Sequence, residues 1–321
     1  MDAAERAPSS VTEAPEPTTA DEVPVYFEAD GNDLFGVLTR PSVPPLNAAL
    51  ISAAGGLRST SMGRNRLFVR LSRSVGRTGL HGFRFDYHGV GESTGPMESF
   101  SLDAPYVQDL EAAQRTVEGF GIDRHVYAGV CFGARTVMTH VTSTDGVAGV
   151  VLVEPPIRDG LRQGRKLTRY STGQLARLAL KPWVLAGLFK KEQRAYYAKF
   201  VKAKLHAART KDEAREATDL SWVSPFFLET LQRLGDRRVP VLLVYGDGSE
   251  NYREFRRAQA GRLGQVLGSA GTIDIVTLPG QIHGFSDLLS QQRVIDTIEE
   301  WASGLFEGTP PSASKDGEDH A

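Results

Sequence analysis

Between residues 47 and 156, short apolar runs alternate with amphipathic stretches, and this alternation constrains the fold more than any other feature of the chain. NAALISAAGG reads as a buried strand ending in glycines. RNRLFVRLSRSV then places Leu67, Leu71 and Val75 at i, i+4 and i+8, a helix period, and LHGFRFDYHG reads as the next strand. DAPYVQDLEAAQRTVEGF, RHVYAGV, a helix starting near Gly133 and VAGVVLVEPP continue the pattern. Strands separated by helices run parallel and are joined by right-handed crossovers, so an α/β fold built on one mostly parallel sheet is expected. Ahead of these units, PVYFEAD and LFGVLTRP have strand lengths, and the turn signal at residues 31–33 predicts a hairpin between them.

Residues 157–236 interrupt the rhythm with several helical stretches and no convincing strand. It resumes with VPVLLVYG, a helix from about Asn251, the strand TIDIVTLPG and a last helix, DLLSQQRVIDTIEEWASGLF. The expected organisation is a core of residues 23–156 and 237–307 with a helical insertion at 157–236. Residues 1–22 and 308–321 are poor in apolar side chains and are expected to be disordered tails. No signal-peptide core and no run approaching 18 apolar residues is present, and one cysteine cannot form an intramolecular disulfide, so a cytoplasmic protein is expected.

Residues 156–240 hold 19 Lys or Arg against 8 Asp or Glu, in a chain whose formal charge is -2. The overall balance argues against nucleic-acid binding through bulk charge. The basic insertion points to an anionic partner. Within it, KPWVLAGLFKKEQRAYYAKFVKAKL has the pattern of a basic amphipathic stretch, in which Trp183, Leu188 and Phe200 are expected to face a pocket and the core rather than a membrane.

The single cysteine, Cys131, stands between Gly129 and Gly133 where a strand turns abruptly into a helix. A nucleophile placed on such a turn needs small neighbours, because any side chain there collides with the bend. The dipole of the following helix favours its thiolate. The N–H of Phe132 is then the first donor to an oxyanion. Of seven histidines, His283 in the loop GQIHGF closes the last strand and is placed to exchange a proton with Cys131. His81, His125 and His140 lie in strand-edge or helix contexts, His206 and His320 in the insertion and the tail.

Taken together, these stretches resemble the α/β-hydrolase superfamily, in the branch that carries cysteine where most members have serine, as dienelactone hydrolase does. FDYHGVGESTG (85–95) is similar to its strand-and-loop segment, IHGF (282–285) to its histidine loop, and GVCFGA to its elbow. AAGGLRSTSMGRNRLFVRLSR is similar to a bacterial subgroup that includes exosortase-associated and S33-type hydrolases. The resemblance covers nearly all of residues 24–306. It implies an eight-stranded, mostly parallel sheet flanked by helices, with 157–236 as a cap over the nucleophile. It also implies a second oxyanion donor at the end of the third strand, at Gly56 with Leu57 next, and makes His88, standing where the family usually has arginine, a pocket liner. The superfamily's usual acid position falls on Ser249. Asp247 and Glu250 flank it and are the first and second choices to orient His283, with Glu154 from the neighbouring strand as the third.

The implied chemistry is cleavage of an ester, thioester or lactone through an acyl-cysteine, with release to water or, in an acyltransferase or cyclase, to another acceptor. An acyl carrier protein or coenzyme A thioester is the partner a basic cap suggests; a relative that binds such a ligand without turnover is the rival. Arg58, Arg64, Asn65 and Arg66 are expected to cap and solvate a helix in preference to binding a substrate anion. No cofactor or metal is expected: one cysteine and scattered histidines give no ligand spacing, and GLRSTSMG and GVGESTG lack a dinucleotide fingerprint.

Overall fold

β1 (Glu22–Ala29) and β2 (Asn32–Thr39) form an antiparallel hairpin whose last pair is Ala29 with Asn32. Asp30 (φ 49°) and Gly31 (φ 76°) make the two-residue turn. The turn therefore lies one residue earlier than 31–33, because an Asp-Gly pair supplies the two positive φ angles that a tight hairpin turn needs. The computed structural model describes residues 21–55, 59–97, 106–159, 220 and 222–308.

The remaining strands are β3 (Ala48–Ala53), β4 (His81–Phe85), β5 (Arg124–Val130), β6 (Val147–Val153), β7 (Val241–Gly246) and β8 (Ile273–Leu278). They complete one eight-stranded sheet in the order β1-β2-β4-β3-β5-β6-β7-β8. β2 pairs antiparallel with β4, and from β4 to β8 every pairing is parallel. Every residue of β3 and β7 is buried, as expected of strands covered on both faces, whereas β8 at the edge has no fully buried residue. The carboxyl ends of β3 to β8 consequently share one edge, and the loops carrying Cys131, Glu154, Asp247 and His283 all leave from it.

The helices are α1 (Leu67–Gly76), α2 (Val107–Gly119), α3 (Phe132–Val141), α4 (Pro225–Asp236), α5 (Glu250–Ala258), α6 (Arg262–Ser269) and α7 (Leu288–Gly304). α1 packs on α7, while α2, α3 and α4 pack in sequence and α4 also meets α6. The single helix expected from about Asn251 is two short helices, broken at Ala260 and Gly261. α4 falls inside the stretch read as the cap. It starts on Ser224, whose Oγ accepts from Phe227 N at 3.2 Å, with Pro225 in the first turn, and it buries Phe227, Leu231 and Leu234 in the same core as the sheet.

The two borders of the insertion are fastened together. Ser224 N donates to Ile157 O at 2.9 Å. Arg135 on α3, 6% exposed, donates to Asp159 Oδ1 at 2.9 Å and to Ser224 Oγ at 3.3 Å, with its guanidinium 3.9 Å from the Phe226 ring centroid. Arg158 lies over Trp222 at the same distance. Residues 160–219, which hold the amphipathic basic stretch, and the tails 1–20 and 309–321 lie outside the described residues. No described helix is long and apolar enough to cross a membrane.

Candidate active site

The chain ends β5 at Val130 and begins α3 at Phe132, leaving Cys131 to make the whole turn at φ 51°, ψ −107°. A non-glycine residue held there stores about 1–3 kcal/mol of strain, which persists only where the surroundings leave the backbone no alternative. Those surroundings are tight. A Cβ on Gly133 would stand 2.1 Å from Ala53 O, and one on Gly129 would stand 2.6 Å from the Ala134 backbone. Cys131 N donates to Val153 O at 2.8 Å, fixing the turn to β6. The spacing Gly-x-Cys-x-Gly is thus dictated by the contact between the elbow, β3 and α3. Cys131 is half-buried, and Phe132 occupies the first helical position, where a backbone N–H has no acceptor within its own helix.

Positive φ recurs along the same edge at Glu154 (51°), Phe285 (48°), Asn65 (51°) and Arg66 (59°). Asn65 Nδ2 donates to Phe285 O at 2.9 Å and Gln291 Nε2 to Arg64 O at 2.8 Å, so the 64–66 turn braces the histidine loop and the helix after it. This is a structural role for a turn that sequence also allowed to bind an anion; Arg58 lies outside the described residues, as do the expected donors Gly56 and Leu57.

His283 is exposed, and among the described residues its ring hydrogen-bonds to none of the three candidate carboxylates. Asp247 instead holds the loop that carries it. Asp247 Oδ1 accepts from Gly280 N at 2.7 Å, Asp247 N donates to Leu278 O at 2.9 Å, and Gly248 N donates to Gly280 O at 2.9 Å. Ser249, at the superfamily's acid position, is the N-cap of α5: its Oγ accepts from Tyr252 N at 2.9 Å, and Glu250 becomes the first residue of that helix. Glu154 is 1% exposed. Its Oε1 accepts from Gly246 N at 2.8 Å, and its Oε2 is buried with no hydrogen-bond partner among the described residues. Burial, and then the Glu154 charge beside it, push the Tyr245 hydroxyl far above the usual tyrosine range.

Two contacts of this edge were not read from the sequence, although both start in the segment FDYHGVGESTG. Asp86 is buried at the end of β4 and its carboxylate accepts from Ser61 N at 2.5 Å and from Glu92 N at 3.0 Å, tying the loops after β3 and β4 together. His88, read only as a pocket liner, has its ring on the buried carboxylate of Asp109 from α2. Their separation of 21 residues follows no motif, so only the fold brings the pair together.

An eight-stranded sheet in this order with a strained turn after β5 defines an alpha/beta hydrolase. Residues 51–292 match the model of the Alpha/beta hydrolase family, and the chain belongs to that family. In fold it is similar to an alpha-beta serine hydrolase homologue from Coxiella burnetii, with a TM-score of 0.53 and 18% identity over 89% of this chain and 99% of that one. It is likewise similar in fold to a proline iminopeptidase from Mycobacterium smegmatis (TM-score 0.56, 14% identity, 90% and 100% of the two chains). An esterase from Pyrococcus furiosus gives a TM-score of 0.54 at 13% identity, over 90% and 92%. No curated protein matches the sequence.

Proposed function

We propose that this alpha/beta hydrolase cleaves an ester, thioester or lactone through an acyl intermediate on Cys131. The observation that carries the proposal is the backbone of Cys131, a non-glycine residue at positive φ wedged between two glycines that admit no Cβ. A fold keeps such strain where it serves chemistry. The esterase and the iminopeptidase of similar fold, which take their names from acyl-group cleavage, support the same class of reaction.

In the proposed cycle Cys131 Sγ attacks the substrate carbonyl while its proton passes to His283. The new C–S bond forms, the bond to the leaving oxygen or sulfur breaks, and His283 returns the proton to that leaving group. Water deprotonated by His283 then attacks the thioester, and the Cys131 thiolate leaves and regains its proton. The oxyanion of each step is received by the Phe132 N–H and, from the family resemblance, by Gly56 or Leu57. Asp247 is a positioning residue, acting on the His283 loop through Gly280. Glu250 and Glu154 are the other two carboxylates considered as partners of His283, and Glu154 Oε2 has capacity to accept a further hydrogen bond.

An amine, alcohol or thiol in place of water turns the cycle into acyl transfer or cyclisation, since a thioester yields to these acceptors more readily than to water. The excess of basic residues in 156–240 supports an anionic acyl donor, an acyl carrier protein or a coenzyme A thioester. One rival draws on a specific observation: the exposed His283 ring, which meets no carboxylate among the described residues, fits a relative that binds an acyl ligand and does not turn it over. Steady-state cleavage of p-nitrophenyl butyrate and of butyryl-coenzyme A decides between them. We expect Cys131→Ala and His283→Ala each to lose about a hundredfold or more in kcat/KM. Equal, background-level rates for wild type and Cys131→Ala would overturn the enzyme reading and leave the binding one.

A further inference from the structure

We propose that the turn at residues 62–66 and the first turn of α7 form a ledge that docks this protein on an anionic lipid surface, with the His283 loop at the contact. The inference goes beyond the acyl-Cys131 reading and stands or falls without it.

Large apolar side chains scattered singly over a surface are ordinary, and several of those exposed among the described residues are of that kind: Tyr26 on β1, Phe120 after α2 and Ile275 on β8. Met62, Leu288 and Leu289 are different. They are 54%, 59% and 61% exposed, and they lie on two segments that are bonded to each other. Asn65 Nδ2 donates to Phe285 O at 2.9 Å, and Gln291 Nε2 donates to Arg64 O at 2.8 Å. Leu288 precedes Gln291 by three residues in α7, so their Cβ atoms are about 5–6 Å apart on one face and Leu288 stands beside the 64–65 turn. It extends the buried row of Gln291, Val294, Ile295 and Ile298 one turn beyond the core, to where water faces it. Met62 is fixed at the other side of that turn, its carbonyl accepting from Phe68 N at 3.1 Å.

The ledge is held from within. Ile282 and Phe285 are buried under the histidine loop, and Asn65, Arg66 and Phe285 all keep positive φ, a strain that non-glycine residues retain only where the surroundings fix them. His283 and Gly284 are exposed between the two buried anchors, so a surface that meets Leu288 and Leu289 also meets the loop carrying His283.

Charge selects the occupant. Residues 62–66 and 286–293 carry three arginines, Arg64, Arg66 and Arg293, against one carboxylate, Asp287. That carboxylate caps α7, accepting from Leu289 N at 3.2 Å and Ser290 N at 2.8 Å. All three arginines are exposed, and Arg64 and Arg66 form no ion pair among the described residues. A second copy of the chain seated on this ledge would set the arginines of the two copies against one another. An anionic bilayer takes the methionine and the leucines into its acyl boundary and meets the arginines with its headgroups.

Flotation of the full chain tests this, with vesicles of phosphatidylcholine alone and of equal parts phosphatidylcholine and phosphatidylglycerol. We expect wild type to float with the mixed vesicles and about fivefold or more weakly with phosphatidylcholine alone. The double variant Leu288→Ser, Leu289→Ser should lose about tenfold or more of its partitioning to the mixed vesicles while keeping the wild-type melting temperature. Arg64→Gln with Arg66→Gln should lose about fivefold or more on the mixed vesicles and little on phosphatidylcholine alone. Leu288→Trp reports from the ledge itself: its emission, taken as the difference from wild type, shifts to the blue with the mixed vesicles and is quenched by brominated lipid. A wild type that does not float, or a Leu288→Trp emission unmoved by vesicles, overturns the proposal. So does a double serine variant that floats as wild type does, which would hand the contact to the basic residues of 156–240. A dimer seen in sedimentation of wild type and lost in the double serine variant, without flotation, assigns the ledge to a second copy and overturns it as well. Ester cleavage is read in none of these arms, so failure of the acyl-cysteine reading leaves their result standing.

Discussion

At Cys131 the backbone is hemmed in by Ala53, Ala134 and β6, whereas His283 is exposed on a loop held by a few main-chain hydrogen bonds and by the buried side chains of Ile282 and Phe285. Both regions leave the same edge of the sheet, and the proposed chemistry needs both. The elbow is rigid because every substitution that would loosen it also collides with something, and its strain is borne by the whole core. The histidine loop has room: a Cβ on Gly280 or Gly284 would meet nothing within 4 Å, and only their φ angles of 84° and 93° require glycine. Cys131 is therefore held on a backbone with no spare room, and His283 on a loop that has room between its buried anchors Ile282 and Phe285, so the two regions differ in how they respond to change.

The largest expected effect is at the elbow. Gly133→Ala drives a methyl into Ala53 O and should cost about 3 kcal/mol or more in urea denaturation. A loss below about 1 kcal/mol would mean the turn can relax, and would break the contrast. Next comes acid sensitivity of the elbow's support. α3 rests through the buried His140 on Gln114 and against the Tyr127 ring, with His125 of β5 also buried. Desolvation first, and the neighbouring His125 second, hold His140 down at about 4. Its folded-state value lies below the unfolded one, so the unfolded chain takes up the proton first. Stability is lost as pH falls from about 6.5 to about 4, by about 3 kcal/mol in all, and no further below that. Urea titrations at pH 7 and 4.5 should show this loss in wild type and a smaller one in His140→Gln.

The loop should respond less. Gly284→Ala meets no atom and pays only for its positive φ, about 1–2 kcal/mol of local strain. Its signature is a fall in ester cleavage with little change in melting temperature. Asp247→Ala removes the bond to Gly280 and should cost about 1 kcal/mol or less, while lowering kcat about tenfold. If Asp247→Ala leaves kcat unchanged, the loop is not positioned by that carboxylate, and Glu154 or Glu250 takes its place in the account.

The same contrast explains what could be read from the sequence. The sheet was legible because buried parallel strands are continuous apolar runs, and the elbow because Gly129, Cys131 and Gly133 report a steric requirement contained in five residues. The hairpin turn moved by one residue, to Asp30 and Gly31, since the φ requirement outweighs the composition of the segment. The acid was not legible: an offset inherited from the superfamily lands on Ser249, and only the structure shows that this residue is spent on capping α5. Nor was the pairing of Arg135 with Asp159 and Ser224, or of His88 with Asp109, because tertiary contacts between distant residues leave no period and no motif.

The central claim is that Cys131 carries the acyl group, and peptide mapping tests it most directly. Wild type and Cys131→Ala are exposed to p-nitrophenyl butyrate, quenched in acid and cut with trypsin, which releases residues 125–135 as one peptide. The account predicts a butyryl group on that peptide, at Cys131, in wild type and no adduct there in the variant. A butyryl group found elsewhere, or in equal amount on both proteins, would contradict it.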